Sequence, residues 1–171
     1  MNIVDQDDEE LKENRTYAFL SAQPFTITET VIKYSSLTKL LRIIAHCIRF
    51  SNNTRPANIK YVRPITVSEI EKAHNFVIKS CQNLEYSEEI TILKQHRNLN
   101  SKSKILSLNP FVDDDNMLRV GGRLRNSEMH NINKHQIIIP TKSHIEWLII
   151  DKAHKETLHG GIQLTLSKIR A

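Results

Sequence analysis

The clearest structural signals of this chain lie in residues 117–171, MLRVGGRLRNSEMHNINKHQIIIPTKSHIEWLIIDKAHKETLHGGIQLTLSKIRA. Apolar residues alternate with arginines around Gly121-Gly122, which predicts a β-strand over residues 117–125 with a bulge or sharp bend at the glycines. Residues 135–140 are predicted to form its antiparallel partner, because their isoleucine run is too apolar for two exposed faces. Residues 143–158 have helical apolar spacing with a capping box at Ser143, and another helix starts at Ile162. The pattern predicts a ββαα unit.

The upstream half has the spacing of helices. Residues 35–50 carry a single apolar stripe, the capping box Thr66-Val67-Ser68-Glu69 opens a second helix, and a third is predicted after Ser87. Three consecutive aspartates at residues 113–115 are expected to form a turn with Asn116 rather than a metal site, because adjacent side chains on extended backbone diverge. We therefore expect a mainly α protein with a small antiparallel β-hairpin, an α+β fold. Residues 1–33 are expected to be a disordered or irregular linker, and residues 34–98 a helical region.

His154 and His159 are the candidate metal ligands. Two imidazoles at this H-x4-H spacing supply half of a tetrahedral zinc site. Residues five apart on an unbroken helix differ by about 140° around its axis. We expect Gly160 to end the helix in the usual C-terminal glycine position, so that the His159 ring can turn back toward His154. No Cys-x-x-Cys follows within the 171 residues, which predicts a half-site with weak zinc binding.

Several segments together resemble the Pao/BEL class of LTR retrotransposon polyproteins. They are MLRVGGRL (residues 117–124), HQIIIP (135–140), AHKETLHGGIQLTL (153–166), YSSLTKLLRIIAHCIRF (34–50) and LNPFVD (108–113). The resemblance covers the chain from about residue 14 onward, and its place in such polyproteins lies between RNase H and the integrase core. It implies that residues 106–171 are the hairpin and a truncated integrase HHCC zinc-binding domain, and that residues 34–98 are a connector.

The resemblance implies a non-catalytic polyprotein fragment with a role in DNA integration and an association with nucleic acid. The alternative is a structural connector or a protein-interaction module that binds no nucleic acid. We expect no enzyme activity, because neither paired aspartates on a hairpin nor three separated metal-binding carboxylates are recognisable. No cofactor is expected for the chain as it stands, whereas the complete parent domain would hold zinc through two further cysteines.

Arg119, Arg123 and Arg125 are the candidate nucleic-acid contacts. They lie along the first predicted strand, where they could face a phosphate backbone or form an exposed sheet face, and the sequence favours neither reading. Net charge is +5 overall, but residues 1–13 have a net charge of −5, which leaves +10 on the rest. A basic body favours a polyanion such as DNA or RNA. Integrase or another copy of the polyprotein is the other expected partner.

Membrane and small-molecule partners are not expected. The apolar runs are short, such as residues 147–150, and the N-terminal region is acidic rather than signal-like. Cys47 and Cys81 fall within predicted helices and do not form a Cys-x-x-Cys, which is typical of small thiols in a reducing compartment. The expected location is intracellular, in the cytoplasm or nucleus.

Overall fold

The computed structural model describes residues 27–55, 60, 62–121 and 135–170, and for Ile27 and Thr28 it describes the backbone alone. Over these ranges the protein is mainly helical with a small antiparallel sheet, which confirms the predicted α+β class. The α-helices are α1 Ile27–Lys33, α2 Leu37–Asn53, α3 Val67–Glu85, α4 Ser87–Lys94, α5 His144–Glu156 and α6 Ile162–Arg170. A 3₁₀ turn, Leu106–Leu108, precedes strands β1 Phe111–Val112 and β2 Leu118–Arg119.

The predicted helices form where the apolar period places them, with ends shifted by up to three residues. The α2 stripe is buried as predicted, and its buried members are Leu37, Leu40, Leu41, Ile44 and Ala45. At the start of α3 the Glu69 carboxylate accepts hydrogen bonds from the Thr66 N–H (2.9 Å) and hydroxyl (2.8 Å). The same carboxylate accepts from Arg49 Nε (2.8 Å) and Nη2 (2.6 Å), so that one residue caps α3 and ties it to α2.

The expectation that residues 1–33 are irregular is wrong for its last seven residues. Ile27–Lys33 forms α1, which packs against α3 and α5. Val31 of this helix is buried in the main core, and that burial compensates for the weak helical signal of so short a segment. Residues 1–26 lie outside the described part of the chain.

The sheet differs in its pairing from the predicted hairpin. Strand β2 pairs with β1, with Phe111 opposite Arg119 and Val112 opposite Leu118. The predicted partner, residues 135–140, joins β2 through a single bridge between Arg119 and Ile137, where the Ile138 N–H donates to the Leu118 carbonyl at 3.1 Å. Within residues 117–121 the predicted strand is limited to Leu118–Arg119, and its segment 122–125 lies outside the described residues.

The turn predicted at the aspartates is present between β1 and β2. Asn116 has the expected left-handed backbone (φ 60°), and its N–H donates to the Asp113 carbonyl at 2.9 Å. Asp113 Oδ1 accepts from the Met117 N–H at 2.7 Å, which closes the turn with a side chain. The run of aspartates thus forms part of the turn between β1 and β2.

Two hydrophobic clusters join the upstream helices to the C-terminal elements. In the first, Ile145 and Leu148 of α5 pack with α1, α2 and α3, and in the second, Leu118 and Ile138 pack with residues of the α4 region. Gln82 of α3 is fully buried between the β-segments: its Nε2 donates to the carbonyls of Leu118 (2.9 Å) and Ile138 (2.6 Å). The expected regions 34–98 and 106–171 therefore share their cores.

A search of the described helices finds none that combines the length and the apolar character needed to cross a bilayer.

Candidate functional site

The end of α5 shapes the candidate metal site. The last helical residue is Glu156, and the Schellman pair of hydrogen bonds follows it: His159 N–H to the His154 carbonyl (3.0 Å) and Leu158 N–H to the Lys155 carbonyl (3.1 Å). Leu158 and His159 both take left-handed backbone conformations, with φ of 52° and 59°. The prediction that Gly160 holds the C-terminal glycine position is therefore wrong, because Leu158 occupies it two residues earlier.

This reversal of the chain brings the two imidazoles together. The ring centroids of His154 and His159 lie 4.9 Å apart, with an angle of 76° between the ring planes. The hydrogen bond from the His159 N–H to the His154 carbonyl holds the main chain of the two residues close together. The pair is at the surface, with His154 half-buried and His159 exposed.

Helix α6 supports the pair from one side. Thr165 is buried, and its hydroxyl lies 3.5 Å from His154 Nδ1, at the limit of a hydrogen bond. A partner on one ring nitrogen orients the ring and leaves the other nitrogen for a ligand. Sequence reasoning did not identify Thr165. The sequence feature that could have pointed to Thr165 is its position four residues after Gly161. In the first turn of α6 the Thr165 N–H donates to the Gly161 carbonyl at 3.1 Å.

A structural zinc ion takes four ligands, and the histidine pair has the chemistry of two of them. Among the described residues, no group of three or more histidine, cysteine, aspartate or glutamate side chains is arranged to hold a metal ion. Cys81 is buried in the main core, and burial raises the pKa of its thiol, which disfavours the thiolate that a metal requires. The remaining ligands of a complete site would come from beyond the described residues.

The candidate nucleic-acid residue Arg119 is bound to groups within the protein. Arg119 Nε forms an ion pair with Asp113 Oδ2 at 2.5 Å, and its Nη1 donates to the His135 carbonyl at 2.9 Å. The side chain is therefore largely committed to the β1–β2 turn and the neighbouring segment, which leaves little of it for a phosphate. Arg123 and Arg125 lie outside the described residues.

Exposed apolar side chains form a further surface feature. Helix α6 exposes Ile162, Leu164, Leu166 and Ile169. Helix α2 also exposes an apolar stripe that is separate from its buried positions. Its members are Ile43, Cys47 and Phe50, spaced i, i+4 and i+7. That spacing is visible in the sequence, but the buried stripe of the same helix is the stronger apolar pattern.

The chain matches no protein-family model, no curated protein and no solved structure.

Proposed function

We propose that this chain is a non-catalytic segment of a Pao/BEL-type retrotransposon polyprotein. In this proposal the end of α5 is the first half of an integrase zinc-binding domain, and the segment associates with nucleic acid during DNA integration. The observation that carries the proposal is the convergence of the His154 and His159 rings at 4.9 Å. Histidine imidazoles are common ligands in structural zinc sites, and a hydrogen bond to the second ring nitrogen usually orients each ligand.

The residues of this chain would act by preorganisation. The Schellman bonds at Leu158 and His159 hold the two rings near each other before any ion arrives, and Thr165 lies beside His154. A bound zinc ion would supply a fixed tetrahedral centre that crosslinks this helix end to further ligands. With only two neutral ligands, binding is weak because the thiolate charge of a complete site is missing.

Zinc titration followed by imidazole NMR tests the histidine part of the proposal. We expect shifts at His154 and His159, with no tight single site in calorimetry, and loss of these shifts in His154→Ala and His159→Ala. The control is His46→Ala, since His46 is an exposed histidine on α2. A one-to-one isotherm with submicromolar affinity, or shifts at His46 alone, would refute the half-site.

A salt titration tests the nucleic-acid part. Fluorescence anisotropy with a labelled DNA duplex should show affinity that falls steeply as salt rises, because phosphate contacts release counterions. Absence of binding at the lowest salt concentration would remove nucleic acid from the proposal and leave the histidine pair unaffected.

The second candidate is a protein-interaction module without nucleic-acid binding. Two observations favour it: Arg119 is engaged by Asp113, and α6 exposes a row of apolar side chains. Sedimentation of the chain over a range of concentrations would show self-association, which Ile162→Lys should weaken while Gln163→Lys should not. A monomer at all concentrations would exclude self-association through α6.

A further inference from the structure

A groove on the outer side of α2 and α3 combines apolar walls with a basic rim. The α2 side consists of Ile44, Cys47 and Ile48, and across it Phe76 of α3 is 46% exposed. These four side chains line a cavity of about 580 Å³ between the helices. Phe76 gives this surface a large apolar side chain that solvent reaches.

The charged side chains that line this groove have one sign. Helix α2 contains three lysine or arginine residues and no carboxylate, and its Arg49 is neutralised by Glu69 of α3. Arg55 and Lys72 line the groove itself, and no carboxylate does. Within the described ranges, no ion pair joins Arg55 or Lys72 to an acidic side chain.

We propose that this groove binds an acidic amphipathic helix of a partner protein. An amphipathic helix presents apolar side chains at i, i+3 or i+4 and i+7, which would pack between Ile48 of α2 and Phe76 of α3. Glutamates on its flanks would lie opposite Arg55 and Lys72. The apolar contact supplies affinity, whereas the exposed ion pairs speed association and select acidic partners.

A nucleic acid fits the groove less well. Single strands bind through aromatic side chains that stack on successive bases beside a basic track. Here Phe76 is the one aromatic side chain in the lining and Ile44 and Ile48 are aliphatic, so successive bases have no row of rings to stack on. A helix can insert side chains into such a lining, and a sugar-phosphate backbone cannot. The groove is also separate from the histidine pair, so this inference does not rest on the function proposed above.

The test uses the whole chain and a fluorescein-labelled synthetic helix of about 14 residues, four turns long, with leucines at the i, i+3, i+4 and i+7 positions and glutamates between them. We expect saturable binding that Phe76→Ser and the pair Arg55→Glu with Lys72→Glu each weaken by about tenfold. These positions are exposed, so the fold should tolerate the changes. The matched control is Lys94→Glu, an exposed lysine on α4, which should leave the affinity unchanged.

Three outcomes would overturn the inference. The acidic helix could fail to bind, or a peptide with lysines in place of the glutamates could bind equally well. The third is that Lys94→Glu weakens binding as much as the groove variants, which would mean attraction by net charge alone. A labelled single-stranded oligonucleotide that binds where the peptide does not, and loses affinity in the Arg55→Glu, Lys72→Glu variant, would assign the groove to nucleic acid instead.

Discussion

Leu158 holds the left-handed position at the end of α5 although its side chain is 89% exposed and gains little from burial. That conformation costs an L-residue about 1–2 kcal/mol, and glycine adopts it freely. We therefore expect Leu158→Gly to raise the free energy of unfolding by about 1 kcal/mol, measured by chemical denaturation. The control is Lys155→Gly within the last helical turn, which should lower it by a similar amount, about 1 kcal/mol. A less stable Leu158→Gly variant would contradict the expectation.

Gly121 is required for a different reason, the close approach of two backbone segments. Its N–H donates to the Asn109 carbonyl at 3.0 Å, and a Cβ at this position would lie 2.2 Å from that same oxygen. Gly121→Ala should therefore lower the free energy of unfolding by about 1–3 kcal/mol, as overpacking does.

Gly161 provides the matched comparison, because a Cβ there meets no atom within 4 Å. Gly161→Ala should stay within about 0.5 kcal/mol of the parent protein in the same denaturation experiment. Equal effects of the two substitutions would show that the contact with Asn109 does not constrain the loop.

Asn116 and Leu158 show which left-handed backbone conformations can be predicted from the local sequence. Asn116 was predicted to be left-handed because asparagine tolerates that conformation and the neighbouring aspartates favour a turn. Leu158 could not be predicted, since the position that becomes left-handed is set by where the last helical hydrogen bond forms. Gly160 gave the more obvious signal, but α5 ends earlier, at Glu156, and α6 packs against it.

At the scale of the elements, Glu69 connects the start of α3 with α2. The Arg49 guanidinium, followed by the Thr66 N–H and hydroxyl, holds the pKa of the Glu69 carboxyl well below its ordinary value of 4.5. The ionised form is favoured in the folded protein, so this contribution to stability is present above about pH 4.5 and is lost as the pH falls further.

Glu69→Gln should therefore reduce the dependence of stability on pH. The parent protein is expected to lose more free energy of unfolding between about pH 6 and about pH 3 than the variant does. The exposed Glu71 supplies the control, because Glu71→Gln should follow the parent curve. Identical slopes for the parent and Glu69→Gln would mean that the Arg49 contact contributes nothing to acid sensitivity.

Helices were predicted more accurately than strand pairing, and the reason is physical. The stripe of α2 and the capping box of α3 are encoded within a few residues, so each is readable from its own segment. The pairing of β2 depends on distant groups: β1 before it, the Ile137 bridge after it and Gln82 of α3. The histidine pair could be placed at a helix end, but Thr165 and the engagement of Arg119 by Asp113 require the folded arrangement.

At the scale of the whole molecule, the upstream helices and the C-terminal elements depend on one another. Ile145 and Leu148 complete the cluster of α1, α2 and α3, and Leu118 and Ile138 complete the cluster beside α4. Neither group of elements keeps a closed core when the other is removed. The upstream helices cover the apolar face of the C-terminal elements, so this fold does not provide a C-terminal unit that stands alone.

This interdependence predicts a single unfolding transition. Trp147 is the only tryptophan and lies on α5, so its fluorescence follows the C-terminal elements, whereas far-UV circular dichroism follows all the helices. The two probes should give coincident denaturation curves.

Gln82→Leu removes the partners of the buried Leu118 N–H and Ile138 carbonyl. It should shift both curves together and lower the free energy of unfolding by about 2–4 kcal/mol. Asn83→Leu, at the exposed neighbouring position, should leave them in place. Separate midpoints for the two probes, or a Gln82→Leu shift confined to fluorescence, would show that the two groups of elements unfold independently.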